Sequence, residues 1–472
     1  MKKPLIVLLI SMVTLSSMDL RAQLRLPAIL SSGMVLQQND SVALWGWAGP
    51  GEKVYVTTSW NKKTDSAIVS NLATWKLKLK TPAAGGPYTI DISSRNTISL
   101  QDVMIGEVWI CSGQSNMEWN YHNGTSDIAA DFASAKNPNI RFFHIPRTGA
   151  DYPQDDVKTA WTHCDSNTIK TFSSVGYFFG KKLQQDLNVP IGLINASWGG
   201  TPAETWTPEQ IVHENAALKA AASKLNTFPW WPSAAGKAYN GMISPVTDFS
   251  IAGAIWYQGE SNTTTYDTYQ QLFTSMIDAW RAVWKREFPF YYVQIAPYKY
   301  GTTNIGALLQ EAQTRSMSHP KTGMVVITDL VDSVTNIHPS RKKPVGERLA
   351  NWALAETYGK TGLSYMSPAL TASVLQKDKV LLRFANAMNG FTVNGQAAEG
   401  FFVSAAGQEK WYPAKAKILN NTITVWSPEL KNPYYVRYGF GNTLIGNVSS
   451  KEGLPIIPFR TDQFAVEQVP VK

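Results

Sequence analysis

The chain has 472 residues, 44% of them hydrophobic and 17% charged, with a formal net charge of +8 and 17 tryptophans. This is the composition of a soluble globular protein with ample material for a sizeable core, and its length is that of two to four domains. No dense Lys/Arg run supports nucleic-acid binding, the two cysteines make no disulfide framework or zinc-ligand spacing, and no segment after the amino-terminal leader has eighteen uninterrupted apolar residues to span a membrane.

Residues 1–22 read as a secretory leader: Lys2 and Lys3, the apolar run Pro4 to Ile10, then small residues up to Ala22 as a cleavage position. The mature protein is therefore expected outside the cytoplasm, periplasmic or extracellular, with a net charge of about +6 once the leader's charges are removed. An exported chain permits a disulfide, but Cys111 ends an apolar strand and reads as a buried thiol.

From residue 23 to 102, short alternating runs such as Ser41–Trp47, Lys53–Thr57, Trp75–Leu79 and Tyr88–Ile92 are separated by the turns Gly49-Pro50-Gly51 and Ala84-Gly85-Gly86-Pro87. That pattern predicts an amino-terminal β-sandwich. Between 103 and 360 apolar strand-like runs alternate with helical ones, which predicts an α/β domain, a parallel sheet covered by helices. Strands are expected near 104–110, 140–145, 190–196, 251–257, 290–296 and 323–329, and helices near 173–187, 208–224, 266–285, 304–317 and 341–358. From 361 to 472, runs such as Val380–Phe384 and Thr422–Trp426 return to strand patterning and predict a carboxyl-terminal β-rich region.

The stretch Val108-Trp109-Ile110-Cys111-Ser112-Gly113-Gln114-Ser115-Asn116 presents Ser115 where a buried strand ends, which is where open α/β sheets carry their sites. Three more stretches follow predicted parallel strands and so reach the same rim: Asn195 to Thr201, Trp256 to Asn262, and Asp329 to Pro339. Gly199 and Gly200 offer backbone N–H groups to an oxyanion, and the amides of Gln258, Asn262 and Asn116 are further candidates for oxyanion or substrate binding. A serine needs a base. Of the six histidines, His338 alone follows a predicted strand and precedes a helix at that rim. The order serine, acid, histidine also occurs in α/β-hydrolases, but Met117 stands where their Gly-x-Ser-x-Gly elbow needs its second glycine.

Gly-Gln-Ser-Asn at 113–116, Ser-Trp-Gly-Gly-Thr at 197–201, Gln-Gly-Glu-Ser-Asn at 258–262 and Ile-His-Pro at 337–339 resemble the sialate O-acetylesterase family. The likeness extends from Gly33-Met34-Val35-Leu36-Gln37 to Phe459-Arg460-Thr461-Asp462. It implies an SGNH hydrolase with a flavodoxin-like three-layer α/β/α core. It also implies Ser115 as nucleophile, His338 as base, and Gly199 or Gly200 with the Gln258 stretch in the oxyanion region.

The chain departs from that pattern at Thr335, where many SGNH enzymes place an aspartate three residues before the histidine. The acid is then expected from Glu260, by resemblance to acetylxylan esterases with a Gln-Gly-Glu motif, or from Asp332 or Asp329 on the histidine's own loop. The plainer alternative for Glu260 is a carboxylate holding neighbouring loops, and for Asp329 a strand-end residue bonding loop backbone.

The expected reaction is hydrolysis of an acetyl ester through an acetyl-serine, with no metal or cofactor. The partner is an acetylated carbohydrate, a sialic acid or alternatively xylan or another plant polysaccharide, and a different class of reading is an inactive carbohydrate-binding protein. Trp119, Trp198, Trp206, Trp230 and Trp231 are candidates either for stacking on a sugar or for core packing, and Arg147, Arg281, Arg315 and Arg341 for a sugar carboxylate. A histidine base with an ordinary pKa would make activity fall between pH 8 and 5.

Overall fold

Every residue from Val103 to Gly113 is buried, as expected of an almost continuous apolar run covered on both faces. In the computed structural model, which describes residues 23–301 and 303–465, this run is the second half of one 17-residue strand, β1 (Thr97–Gly113). The leader expected at 1–22 lies outside the described residues. Six further strands complete a central sheet: β2 (Asn137–His144), β3 (Trp161–Cys164), β4 (Ile191–Ser197), β5 (Gly253–Tyr257), β6 (Phe290–Val293) and β7 (Thr322–Val325). Their order is β7-β6-β5-β1-β4-β2-β3, parallel throughout except that β3 runs antiparallel to β2. The protein is thus a mixed α/β fold around a mostly parallel sheet.

The helices fall close to their expected places. Between the short α1 (Ser115–Glu118) and the carboxyl-terminal region lie α2 (Ser174–Leu187), α3 (Tyr266–Trp284), α4 (Ile305–Ser316) and α5 (Lys343–Trp352). Ser173 starts α2 by accepting the Gly176 N–H on its side chain. One face of α3, with Leu272, Phe273, Met276, Ile277 and Trp280, is buried. The helix expected at 208–224 is split, because Asn215 takes an extended conformation and caps a second piece by accepting from Ala217 and Leu218 N–H groups. The strand β3 had no counterpart in the expectations, being four residues long with two exposed.

Position 102, read as a domain boundary, lies inside β1. The first part of β1 pairs antiparallel with Gly85–Ser93, while the second pairs with β4 and β5. The register slips between Tyr88 and Ile90, opposite the residues around Asp102, whose φ is 55°. The chain therefore passes from one set of partners to the next through a β-bulge within a continuous strand. Asp102 accepts two 3.1 Å bonds from the buried Arg141 guanidinium there. A single apolar core runs through this junction, joining Val54, Val56 and Ile92 to Val108, Ile110 and Ile194. The carboxyl-terminal strands enclose a core of their own, from Val380 and Leu382 to Val436 and Val448. Arg460 ties that region to α4 by a two-pronged bond to Glu311 at 2.9 and 3.0 Å. Cys111 and Cys164 are free and buried, and burial raises both thiols, Cys164 to about 12. No helix among the described residues is long and apolar enough to cross a membrane.

Candidate active site

Three strands end level at one rim of the sheet. In register, Gly113 of β1 faces Ser197 of β4 on one side and Tyr257 of β5 on the other. Gly113 has a φ of +134°, and a Cβ there would sit 2.3 Å from the Tyr257 carbonyl oxygen, so the turn out of β1 requires glycine. Two bonds carry the alignment past the strand ends: Gln114 N–H to Tyr257 O at 3.0 Å and Trp198 N–H to Gly113 O at 3.0 Å. The chain then enters α1 with Ser115 at its first position.

His338 reaches this serine from the loop between β7 and α5, 223 residues away, with Nε2 2.8 Å from Ser115 Oγ. The Asn336 side chain accepts the His338 N–H at 3.0 Å and shapes the turn. The imidazole lies on the indole of Trp119, with ring centroids 3.9 Å apart and planes within 24°. Burial pushes the His338 pKa down to about 4, and the positive charge of Lys342 adds to that shift. Four other histidines are engaged elsewhere: His144 with Asn195, His163 with Asp102, His213 with Glu209 and His319 with Asp278.

Beneath the pair lies a sealed polar cluster. Asn116 is fully buried, and its Nδ2 donates to Glu260 Oε1 at 2.6 Å and to the Ile337 carbonyl at 3.1 Å. Its Oδ1 accepts from Lys342 Nζ at 2.6 Å. Lys342 is itself fully buried, with its ammonium 5.1 Å from the Tyr257 ring centroid. Burial lowers the Lys342 pKa to about 7 against the pull of Glu260, Asp127 and Asp332, and burial raises that of Glu260.

Several expected roles do not match these contacts. Among the described residues no carboxylate bonds or pairs with the His338 ring. Asp332 instead accepts the N–H and Oγ–H of Ser340, each at 2.8 Å, Asp329 is held by Arg348 at 2.8 and 2.6 Å, and Glu260 faces Asn116. The plainer reading of Glu260, a carboxylate joining neighbouring loops, describes its contacts. The amides proposed for an oxyanion are already committed, since a donor bonded inside the fold has no proton left for a ligand. Gln258 Nε2 donates to Asn262 Oδ1 and Thr201 O, Asn262 Nδ2 to Glu204 and Thr265, and both Asn116 donors are spent as above. Gly199 comes close to Ser115, its Cβ position lying 3.3 Å from the Ser115 Cβ, but its N–H donates to Glu118 Oε2 at 2.8 Å. Gly200, at φ +82°, lies directly under the Trp231 indole, which would meet a Cβ at 2.4 Å.

The tryptophans divide as well. Trp206 is fully buried and donates to Thr201 Oγ, so it is not free to stack on a sugar, and one face of the half-buried Trp119 is covered by His338. Trp230 is 62% exposed and clusters with Phe228 and Trp231 next to Gly200. Sequence reasoning missed Glu118, which joins Gly199 to Arg147, and Lys342. Lys342 had left a signal: standing just before α5, it is in phase with the buried Val345, Leu349 and Trp352 of that helix. No group of three or more His, Cys, Asp or Glu among the described residues is arranged to hold a metal ion.

Residues 105–355 match the family described as carbohydrate esterase, sialic acid-specific acetylesterase. Sialate O-acetylesterases are similar over most of the chain. That of Pongo abelii is 30% identical over 83% of this chain and 82% of its own length, and that of Homo sapiens 29% identical over 85% and 84%. A carbohydrate acetylesterase from Xanthomonas citri has the same fold, with a TM-score of 0.86 and 33% identity over 94% of this chain and 100% of its own. The chain therefore belongs to the carbohydrate esterase family of sialic acid-specific acetylesterases.

Proposed function

We propose that this carbohydrate O-deacetylase works through a Ser115–His338 dyad and an acetyl-serine intermediate, with an O-acetylated sialic acid as substrate. The observation that carries this reading is the 2.8 Å contact between His338 Nε2 and Ser115 Oγ. His338 takes the Ser115 proton as the serine oxygen attacks the acetyl carbonyl. The tetrahedral intermediate collapses, the C–O bond to the sugar breaks, and the imidazolium returns its proton to the sugar oxygen. Water, deprotonated by His338, then releases acetate and restores Ser115. The N–H groups of Ser115, which has no intrahelical acceptor at the start of α1, and of Gly200 hold the oxyanion; removing one such donor costs about 10²–10³ in turnover. Trp119 supports the transient imidazolium through its π face, worth about 0.5–2 kcal/mol.

The same proposal describes the core as a flavodoxin-like SGNH three-layer α/β/α unit at 103–360, flanked by a β-sandwich at 23–102 and a β-rich region at 361–472. The leader at 1–22 exports the chain.

Because the protonated imidazole cannot accept a proton, kcat/KM depends on the free base. With the His338 pKa lowered to about 4, that base persists well below the ordinary value of 6.5. The acid limb of kcat/KM is therefore expected near pH 4, in place of the fall between pH 8 and 5 that an ordinary histidine would cause. A rate profile on an activated acetyl ester checks this; an acid limb at pH 6–7 contradicts it.

The cluster of exposed Phe228 and Trp230 with half-buried Trp231 supports a carbohydrate leaving group, since an indole face packs on a pyranose ring. Trp230→Ala is expected to raise KM on an acetylated oligosaccharide about tenfold, the equivalent of 1.4 kcal/mol. Its kcat on a small activated ester should stay unchanged. An equal loss on both substrates would remove the cluster from the binding site.

A second reading, a neutral acetylated plant polysaccharide such as xylan, is favoured by the pairing of Arg147 with Glu118, which neutralises the cation beside Gly199. Arg281 and Arg315 are spent elsewhere, on carbonyls at Phe288 and Pro320 and on Glu311. Acetate release from O-acetylated sialic acids and from acetylated xylooligosaccharides decides between the two. Release from neither would favour a carbohydrate-binding protein without activity.

A further inference from the structure

We infer that Lys342 is a positioning residue of the active site: through Asn116 its ammonium locks the Ser115 turn to the His338 loop, with Glu260 as the balancing charge. The inference rests on the Ser115–His338 reading and adds a residue to it.

Asn116 follows the serine directly, and its amide touches each of the parts that must stay in register. It donates to the carbonyl of Ile337, the residue before His338, at 3.1 Å, and to Glu260, on the segment after β5, at 2.6 Å. Its oxygen is held by Lys342 Nζ, on the residue before α5, at 2.6 Å. An asparagine amide can be flipped by rotation about its last bond, which exchanges donor and acceptor ends. The ammonium offers only donors, so it fixes the oxygen toward itself and the NH₂ toward Ile337 and Glu260. The separation of 2.8 Å between His338 and Ser115 then follows from the backbone on both sides of one oriented side chain.

The cost of this arrangement is a reason to take it as functional. A fully buried lysine loses its hydration, and packing with apolar residues would serve stability as well or better. The charged groups acting on it are Glu260, Asp127 and Asp332, and the Tyr257 ring lies over it. His338 stands near enough for the lysine to disfavour its protonation. The ammonium thus acts on the imidazole in the direction opposite to a triad aspartate: it keeps the resting imidazole in its base form.

The test compares wild type with Lys342→Met, Glu260→Gln and the double variant on an activated acetyl ester, from pH 3.5 to 8, with melting temperatures. Lys342→Met is expected to lose about 10²-fold in kcat, as a misplaced catalytic group does, with KM within about threefold. Its acid limb in kcat/KM should move up by ~1 pH unit, because a nearby positive charge has gone. The double variant should regain about tenfold of the lost kcat, since Glu260 is no longer buried without a counter-charge, and should keep the raised limb. A merely structural lysine would lower the melting temperature and leave the limb where it is. A folded Lys342→Met enzyme with kcat within about threefold of wild type and an unmoved limb would overturn the inference. Should Lys342→Met not fold, the limb of the double variant decides in the same way. If Ser115→Ala is inactive while the lysine variants behave as wild type, only this inference fails. If Ser115→Ala keeps full turnover, the dyad reading itself has failed.

Discussion

Ser115→Ala is expected to lower kcat on an acetyl ester by about 10⁶-fold, the loss seen when the nucleophile is taken from a serine–histidine pair that works as a unit. The methyl group removes only an oxygen from a half-buried residue at the first position of α1, whose backbone is held by Gln114 N–H to Tyr257 O and Trp119 N–H to Ser115 O. The variant should therefore fold and melt close to wild type. Acetate release by the purified variant checks it, and turnover within tenfold of wild type in a folded protein would refute the mechanism. The remaining rate over water, about 10³–10⁴, would come from substrate binding and oxyanion donors.

His338→Ala should cost nearly as much, because the serine hydroxyl then has no acceptor for its proton, and the two losses should not add. The double variant Ser115→Ala/His338→Ala is expected to be no slower than either single variant, since each alone disables the same proton transfer. Measured kcat values for all three check this. Loss in the double variant equal to the product of the single losses would mean that the two side chains act independently, against the 2.8 Å contact. Asp332→Asn is a useful contrast. Asp332 accepts from Ser340 and, among the described residues, not from His338, whereas in a related triad the loss of a true orienting aspartate cost about 10⁴. Its amide should stay within about tenfold of wild type.

Local pattern determined a great deal. The almost continuous apolar run before Gly113 required a strand covered on both faces, alternation of strands and helices from 103 to 360 required a parallel sheet, and both placed Ser115 and His338 at one rim. These are properties of neighbouring residues, because burial on two faces and helical period are written within ten or fifteen positions. The continuity of β1 through Asp102 was not legible, since a bulge keeps a strand going where composition changes.

Tertiary structure alone decided how donors and charges are spent. Gln258, Asn262 and Asn116 had the right chemistry for an oxyanion, yet each amide is consumed by partners that only packing brings near, Asn116 by residues 144, 221 and 226 positions away. The acids expected to orient the histidine went the same way: Asp332 turned to Ser340, Glu260 to Asn116, and the histidine came to rest on Trp119. A side chain's type states which bonds it can make. Which of them it makes depends on the free energy of burying it beside particular groups, a buried polar atom being costly unless paired, and those groups are chosen by the fold as a whole.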